Sequence, residues 1–271
     1  MKRLLAFTLS AIVVFIAGAA SAQELGNPAK LIKKGQIDVG LQGTLIIKQS
    51  FADYDLNRAY SNGTHDTERK SADFEDDGFY MATITYGIID EINVFASLGL
   101  ADGGKWVDHQ TDNDWKGDLE SQFVWAVGAK VKALEIDNGF GVEVGGQYLR
   151  YDNREVKNWR KQETGQTASQ LGWNTNDKFD YWQADFVLNT YWTIGAFTPY
   201  VGAGLSFSNV NFKGRWTNQN GWVGYDSSFD NENKFSALVG LDLDLGDHFK
   251  VNLQGTFISR TAVTLGISYC F

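Results

Sequence analysis

In the C-terminal run Val263-Thr-Leu-Gly-Ile-Ser-Tyr-Cys-Phe271 every second residue is apolar, and the residues between are small or polar. A period of two sends alternate side chains to opposite faces of an extended strand. Nine further segments obey the same code. They run from Ile37 to Lys48, Tyr80 to Ile88, Ile92 to Leu100, Phe123 to Lys132, Phe140 to Tyr148, Trp182 to Trp192, Val201 to Ser208, Lys234 to Asp244 and Phe249 to Phe257. One such segment would be an ordinary half-buried strand. Ten predict an all-β sheet.

Composition agrees. The chain has 29 Gly, only 2 Pro and 14 % aromatics, a mixture that suits strands better than helices. Beyond residue 22 no stretch approaches the ~18 apolar residues that a spanning helix needs. The connections sort into two classes. Those near Asp90-Glu91, Leu134 to Asn138, Gly195-Ala196 and Gly246-Asp247 are short, whereas Ala52 to Gly78, Asp102 to Asp118, Asp152 to Asp177 and Asn209 to Asn233 are long. A fifth connection on the long side, near Ser259-Arg260, is tight. Long connections at one end and short turns at the other predict a transmembrane antiparallel up-and-down β-barrel of about ten strands, with eight as the alternative count. The second face of the strands carries Gln, Asn, Asp, Glu and Lys, so the apolar face is expected to look at lipid. Aromatics at the segment ends, among them Tyr80, Tyr148, Trp182 and Trp192, read as interfacial girdles.

Residues 1–22 read as a secretory signal: Lys2 and Arg3, an apolar stretch from Leu4 to Ala17, then Ala20-Ser21-Ala22. A short periplasmic segment, 23–34, precedes the barrel at 35–271. Loss of Lys2 and Arg3 takes the net charge from −9 to −11. Such a balance argues against nucleic acid as a partner. The lone Cys270 can form no internal disulfide, and neither a metal nor a cofactor is expected.

The closing strand, ending on Tyr269 and Phe271, resembles that of bacterial outer-membrane barrels, where the terminal aromatic is read by the assembly machinery. Thr198-Pro-Tyr-Val-Gly-Ala-Gly-Leu-Ser-Phe207, Gly240-Leu-Asp-Leu and Ser268-Tyr-Cys-Phe271 are similar to strand motifs of the OmpA-like, opacity-type small-barrel family. The resemblance implies a cell outer-membrane location and a structural or adhesive role without shared catalytic residues. A count of ten strands departs from that family's usual eight.

Alternation assigns Asp38, Lys48, Glu120, Lys130, Glu143, Asp185, Asp242, Asp244 and Arg260 to a polar lumen network. Inward acids and bases nearly balance, which suits a paired, filled lumen; a narrow small-solute channel is the alternative. Six tryptophans, Trp106, Trp115, Trp159, Trp173, Trp216 and Trp222, fall in the long connections among Asn, Asp and Gly. They are candidates for recognising an extracellular ligand, unless they pack loop against loop. Arg150, Arg154, Lys157, Arg160 and Lys161 are placed to meet lipopolysaccharide phosphates, unless they simply form a solvated face. Outer-membrane proteases of the omptin type use His and Asp at the rim of a ten-stranded barrel. Here only His65, His109 and His248 are present, without a recognisable motif, and the expectation is no enzyme. The sequence therefore predicts a barrel with a structural or surface-recognition role, with a channel and, more distantly, a rim protease as the alternatives.

Overall fold

The computed structural model describes residues 31–109 and 114–271. The signal-peptide segment 1–22 and residues 23–30 lie outside the described residues. Those described form fourteen strands and no helix. In chain order they are β1 (Ile37–Ser50), β2 (Tyr54–Tyr60), β3 (His65–Ile89), β4 (Ile92–Asp102), β5 (Lys105–His109), β6 (Trp115–Leu119) and β7 (Gln122–Glu135). There follow β8 (Phe140–Lys161), β9 (Asn174–Trp192), β10 (Phe197–Asn218), β11 (Gly221–Asp230), β12 (Phe235–Leu245), β13 (Phe249–Ile258) and β14 (Thr261–Cys270).

Ten of these strands close a ring. β1, β3, β4, β7, β8, β9, β10, β12, β13 and β14 pair antiparallel in that order, and β14 returns to β1 with Thr264 opposite Thr44. They correspond one for one to the ten alternating segments of the sequence. The short turns and the C-terminus gather at one end. Gly139 and Gly246 take the positive φ (84° and 85°) that two of those turns require.

At the other end the long connections are themselves strands, which corrects the expectation of four large loops. β2 and β5 pair with the outward extension of β3, β6 with that of β8 and β11 with that of β10, while the extended β9 joins β8 to β10. Together they close a second ring of eight: β2, β3, β5, β6, β8, β9, β10, β11 and back to β2. β9 and β10 run straight from one ring into the other. Along them the polarity of the code inverts while its parity holds. The inward residues are Gln183, Asp185 and Asn189 below, but Phe179 and Tyr181 above; on β10 they change from Ser206 and Ser208 to Val210 and Phe212. A strand wetted outside must turn its apolar face inward, the reverse of one bathed in hydrocarbon. β8 instead shifts phase at Asn153, whose φ of 58° marks a bulge between Tyr151 and Arg154. β1 shifts between Ile46 and Lys48, opposite Asp76 on β3, where φ is 52°.

Around the ten-strand ring the outward side chains are bare. Leu41 is 64 % exposed, Leu98 58 % and Phe186 57 %, and Ile84, Phe123, Val201, Leu253 and Ile267 continue the belt. A continuous apolar girdle of this size is incompatible with water, and a closed ring leaves no unpaired backbone to face lipid. The chain is a transmembrane β-barrel. Barrels of this design belong to outer membranes, and the cell outer membrane is its location.

The interior is filled in layers. Near the short turns Asn252 Nδ2 donates to Tyr200 Oη at 2.9 Å, and Tyr200 donates to Gln254 Oε1 at 2.8 Å. In the middle, Gln183 and Gln147 donate to Asp185 Oδ2 at 2.6 and 3.1 Å, with Arg260 at 3.7 Å. Above these lies an aromatic plug. Phe74, Trp106 and Phe179 stand 5.2–5.4 Å apart between ring centres, and Tyr151 stacks on Tyr181 at 5.0 Å. Arg154 is fully buried beside the plug and grips Asp77 with two hydrogen bonds of 2.8 and 2.9 Å.

Candidate functional site: the outer chamber

Above the plug the eight-strand ring encloses a chamber of about 190 Å³. Its walls follow from the alternation of β9 and β10, which turns Asp177 on one strand and Phe212 and Trp216 on the other to the inside. Strand pairing places Gly214 opposite Asp177. A Cβ at Gly214 would overlap the Asp177 carboxylate, so this glycine gives the carboxylate its room. Trp216 is the hub of the aromatic wall. Its ring lies 5.0 Å from Trp115, 5.9 Å from Trp159, and 6.3 Å from both Trp173 and Tyr225.

Charge is distributed unevenly in this wall. Lys70 pairs with Asp108 at 2.8 Å, and Arg58 pairs with Asp66 at 2.7 Å and Glu68 at 2.8 Å. Asp177, only 2 % exposed, forms no ion pair among the described residues. Its Oδ2 accepts a hydrogen bond from Trp216 Nε1 at 2.6 Å, while Oδ1 has no hydrogen-bond partner. Burial raises the Asp177 carboxyl to about 6, against the opposing pull of the Trp216 hydrogen bond. Trp159 adds a weaker favourable interaction, although its Nε1 lies outside hydrogen-bonding geometry with any acceptor. A buried carboxylate held without a cation in an aromatic cavity is costly to the fold, and such groups gather at functional sites.

The tryptophans predicted in the outer connections divide three ways. Trp115, Trp159, Trp173 and Trp216 line the chamber. Trp222 stands outside that group, under Arg215 at 4.6 Å. Trp106 is a correction: at 1 % exposure it is part of the plug and presents no face to solvent. It is an inward position on the short β5, a strand with too few residues to betray its phase.

Of the residues assigned to the lumen, Lys130, Glu143, Asp185, Asp242 and Arg260 are buried inside the ten-strand ring. Asp38 lies part-exposed near the short-turn end, accepting from Ser268 Oγ at 2.9 Å, and Asp244 is likewise part-exposed. Lys48 and Glu120 are corrections. The bulge after Ile46 turns Lys48 outward, where it pairs with Asp73 at 2.8 Å. Glu120 lies between β6 and β7, half exposed beside Lys157 at 3.7 Å. Alternation cannot be carried across a bulge or beyond a strand end.

The basic cluster is largely committed to neighbours. Arg150 pairs with Asp152 at 2.7 Å, Lys157 with Glu155 at 3.1 Å and Arg160 with Asp118 at 3.1 Å; Arg154 is internal. Tyr269 packs on Phe271 at 4.8 Å and on Phe249 at 4.9 Å at the end of the closing strand. His109 holds Asp114 with one ring nitrogen at 3.0 Å and Asp73 with the other at 2.9 Å. Sequence reasoning missed Asp177, Lys70, Asp108 and Tyr225, all in stretches assigned to loops. The signal that could have found Asp177 is the odd-numbered series Asp177, Phe179, Tyr181, which keeps the parity of Gln183 and Asp185.

Neither a protein-family model nor a curated protein matches the chain. Among solved structures it is similar to the outer-membrane protein OprG from Pseudomonas aeruginosa, at 12 % identity and TM-score 0.42 over 88 % of this chain and 97 % of that one. It is similar also to the outer-membrane protease OmpT from Escherichia coli, at 13 % identity and TM-score 0.49 over 86 % and 97 %. The attachment invasion locus protein Ail of Yersinia pestis aligns at 7 % identity and TM-score 0.29 over 88 % and 99 %. At these values the likenesses bear on no function, and the barrel assignment rests on the strand pairing described above.

Proposed function

We propose that this protein is a surface-recognition barrel: a non-conducting outer-membrane scaffold whose outer chamber receives a small ligand. The observation that carries this reading is the chamber itself, an aromatic cavity holding an uncompensated carboxylate above a packed plug. Pockets built this way, apolar walls with one or two placed polar groups, are what binding sites need. The role is compatible with the OmpA-like resemblance, which belongs to the same proposal. Possession of both His109 nitrogens by carboxylates leaves that residue no free nitrogen to act as a base, which supports a role without catalysis.

A narrow small-solute channel is the second reading, favoured by the polar lower lumen around Lys130 and Glu143. It requires the Phe74, Trp106 and Phe179 plug to move aside. Planar-bilayer recording of the refolded barrel separates the two. The recognition reading expects a silent membrane; steady, salt-dependent current steps would overturn it.

A further inference from the structure

We propose that the chamber ligand is a small organic cation, an ammonium head group seated between the Trp216 wall and Asp177. The inference rests on the recognition reading and adds the chemical class. Three observations converge on it. Trp115, Trp159, Trp173, Trp216 and Tyr225 surround one cavity, and the negative faces of aromatic rings attract a cation within about 6 Å of the ring centre. The cations already in the wall, Arg58 and Lys70, are each neutralised by carboxylates of their own, Asp66, Glu68 and Asp108. Asp177 alone among these carboxylates has no cationic partner, so it is left as a buried charge lining the chamber that a cation can balance.

The dimensions fit. An apolar cavity of about 150 Å³ holds a benzene molecule, and a chamber of about 190 Å³ takes an alkylammonium group of similar bulk. An anion would meet the unpaired carboxylate and the ring faces, both of which repel it. A neutral sugar would stack on the indoles but leave the Asp177 charge uncompensated.

The test is a titration of tryptophan fluorescence in the full barrel, folded in detergent, with n-butylammonium, butyrate and methyl glucoside as probes. Saturable quenching by n-butylammonium is expected, with no saturable response to butyrate or the glucoside. Asp177→Asn should weaken n-butylammonium binding at least 10-fold. Trp115→Leu, which keeps an apolar wall but removes one ring face, should weaken it several-fold, and heat-dependent gel migration verifies that both variants fold. Equal affinity for the glucoside, no response to n-butylammonium, or unchanged affinity in a folded Asp177→Asn barrel would each overturn the cation assignment. The recognition reading fails separately, on the appearance of channel steps.

Discussion

Arg154, fully buried, is the most deeply committed cation among the described residues. Besides Asp77 it donates to the carbonyls of Glu120 and Gly103 at 2.9 and 2.8 Å. Removing one member of a buried pair strands the other, at a cost of about 3–5 kcal/mol, whereas replacing both with apolar groups is far milder. Arg154→Ala should therefore lower the urea midpoint of the folded barrel markedly, and Arg154→Met with Asp77→Leu should recover most of the loss. Equal midpoints for the single and double variants would count against a pair buried at this site. His109 supplies a pH signature. Burial alone would lower its imidazole, but hydrogen bonds to Asp73 and Asp114 outweigh burial and raise it. A raised folded value favours the protonated form. Its stabilisation is thus complete below the ordinary imidazole value of about 6.5 and is lost as pH rises through the folded value. The side chain is over a third exposed, so the effect is small. Unfolding midpoints measured upward from pH 6 should fall more steeply for the parent protein than for His109→Gln.

At the scale of elements, the bulge in β8 resets the phase of that strand above the membrane. Asn153 occupies a left-handed conformation that Asn tolerates and β-branched residues do not, and its N–H donates to Asp180 Oδ1 at 2.8 Å. Asn153→Val should cost roughly 1–3 kcal/mol, while Asn153→Gly should be close to neutral, as read by thermal unfolding in detergent. The bulge is one of two reasons why the outer half is illegible in the sequence; the other is the change of solvent along β9 and β10. Period-two reading finds β9 and β10 below Trp182 and Phe207 because hydrocarbon outside and polar groups inside hold one pattern. Above that level the solvent changes, the apolar residues move to the other face, and Phe179, Tyr181 and Phe212 look like scattered loop aromatics. On β8 the phase itself slips at Asn153, and no local pattern survives the slip.

For the whole molecule the governing question is whether the plug closes the lumen. About ten strands leave an interior that side chains can fill, and Phe74, Trp106, Phe179 and Phe229 cap it at its outer end. Replacing Phe74 and Trp106 together by Ala removes the centre of that plug. The double variant should admit ionic current where the parent protein is silent, if it still shows heat-dependent migration; persistent silence would mean that the polar layer at Asp185 and Arg260 closes the path by itself. The two rings also divide the labour: the lower ring meets lipid through its exterior, and the upper ring buries its apolar groups as a water-soluble barrel does. The ten lipid-facing strands, the order of short and long connections and the side that looks at lipid were determined by the sequence, because each is local or follows from a two-residue period; the four outer strands were not. Only the tertiary structure decided that β11 would pair with β2, that Asp77 would find Arg154, and that Asp177 would share a chamber with Trp115. Those meetings depend on register between strands distant along the chain and on bulges that reset it. Closure of the ring fixes both, and no short window of residues can encode it.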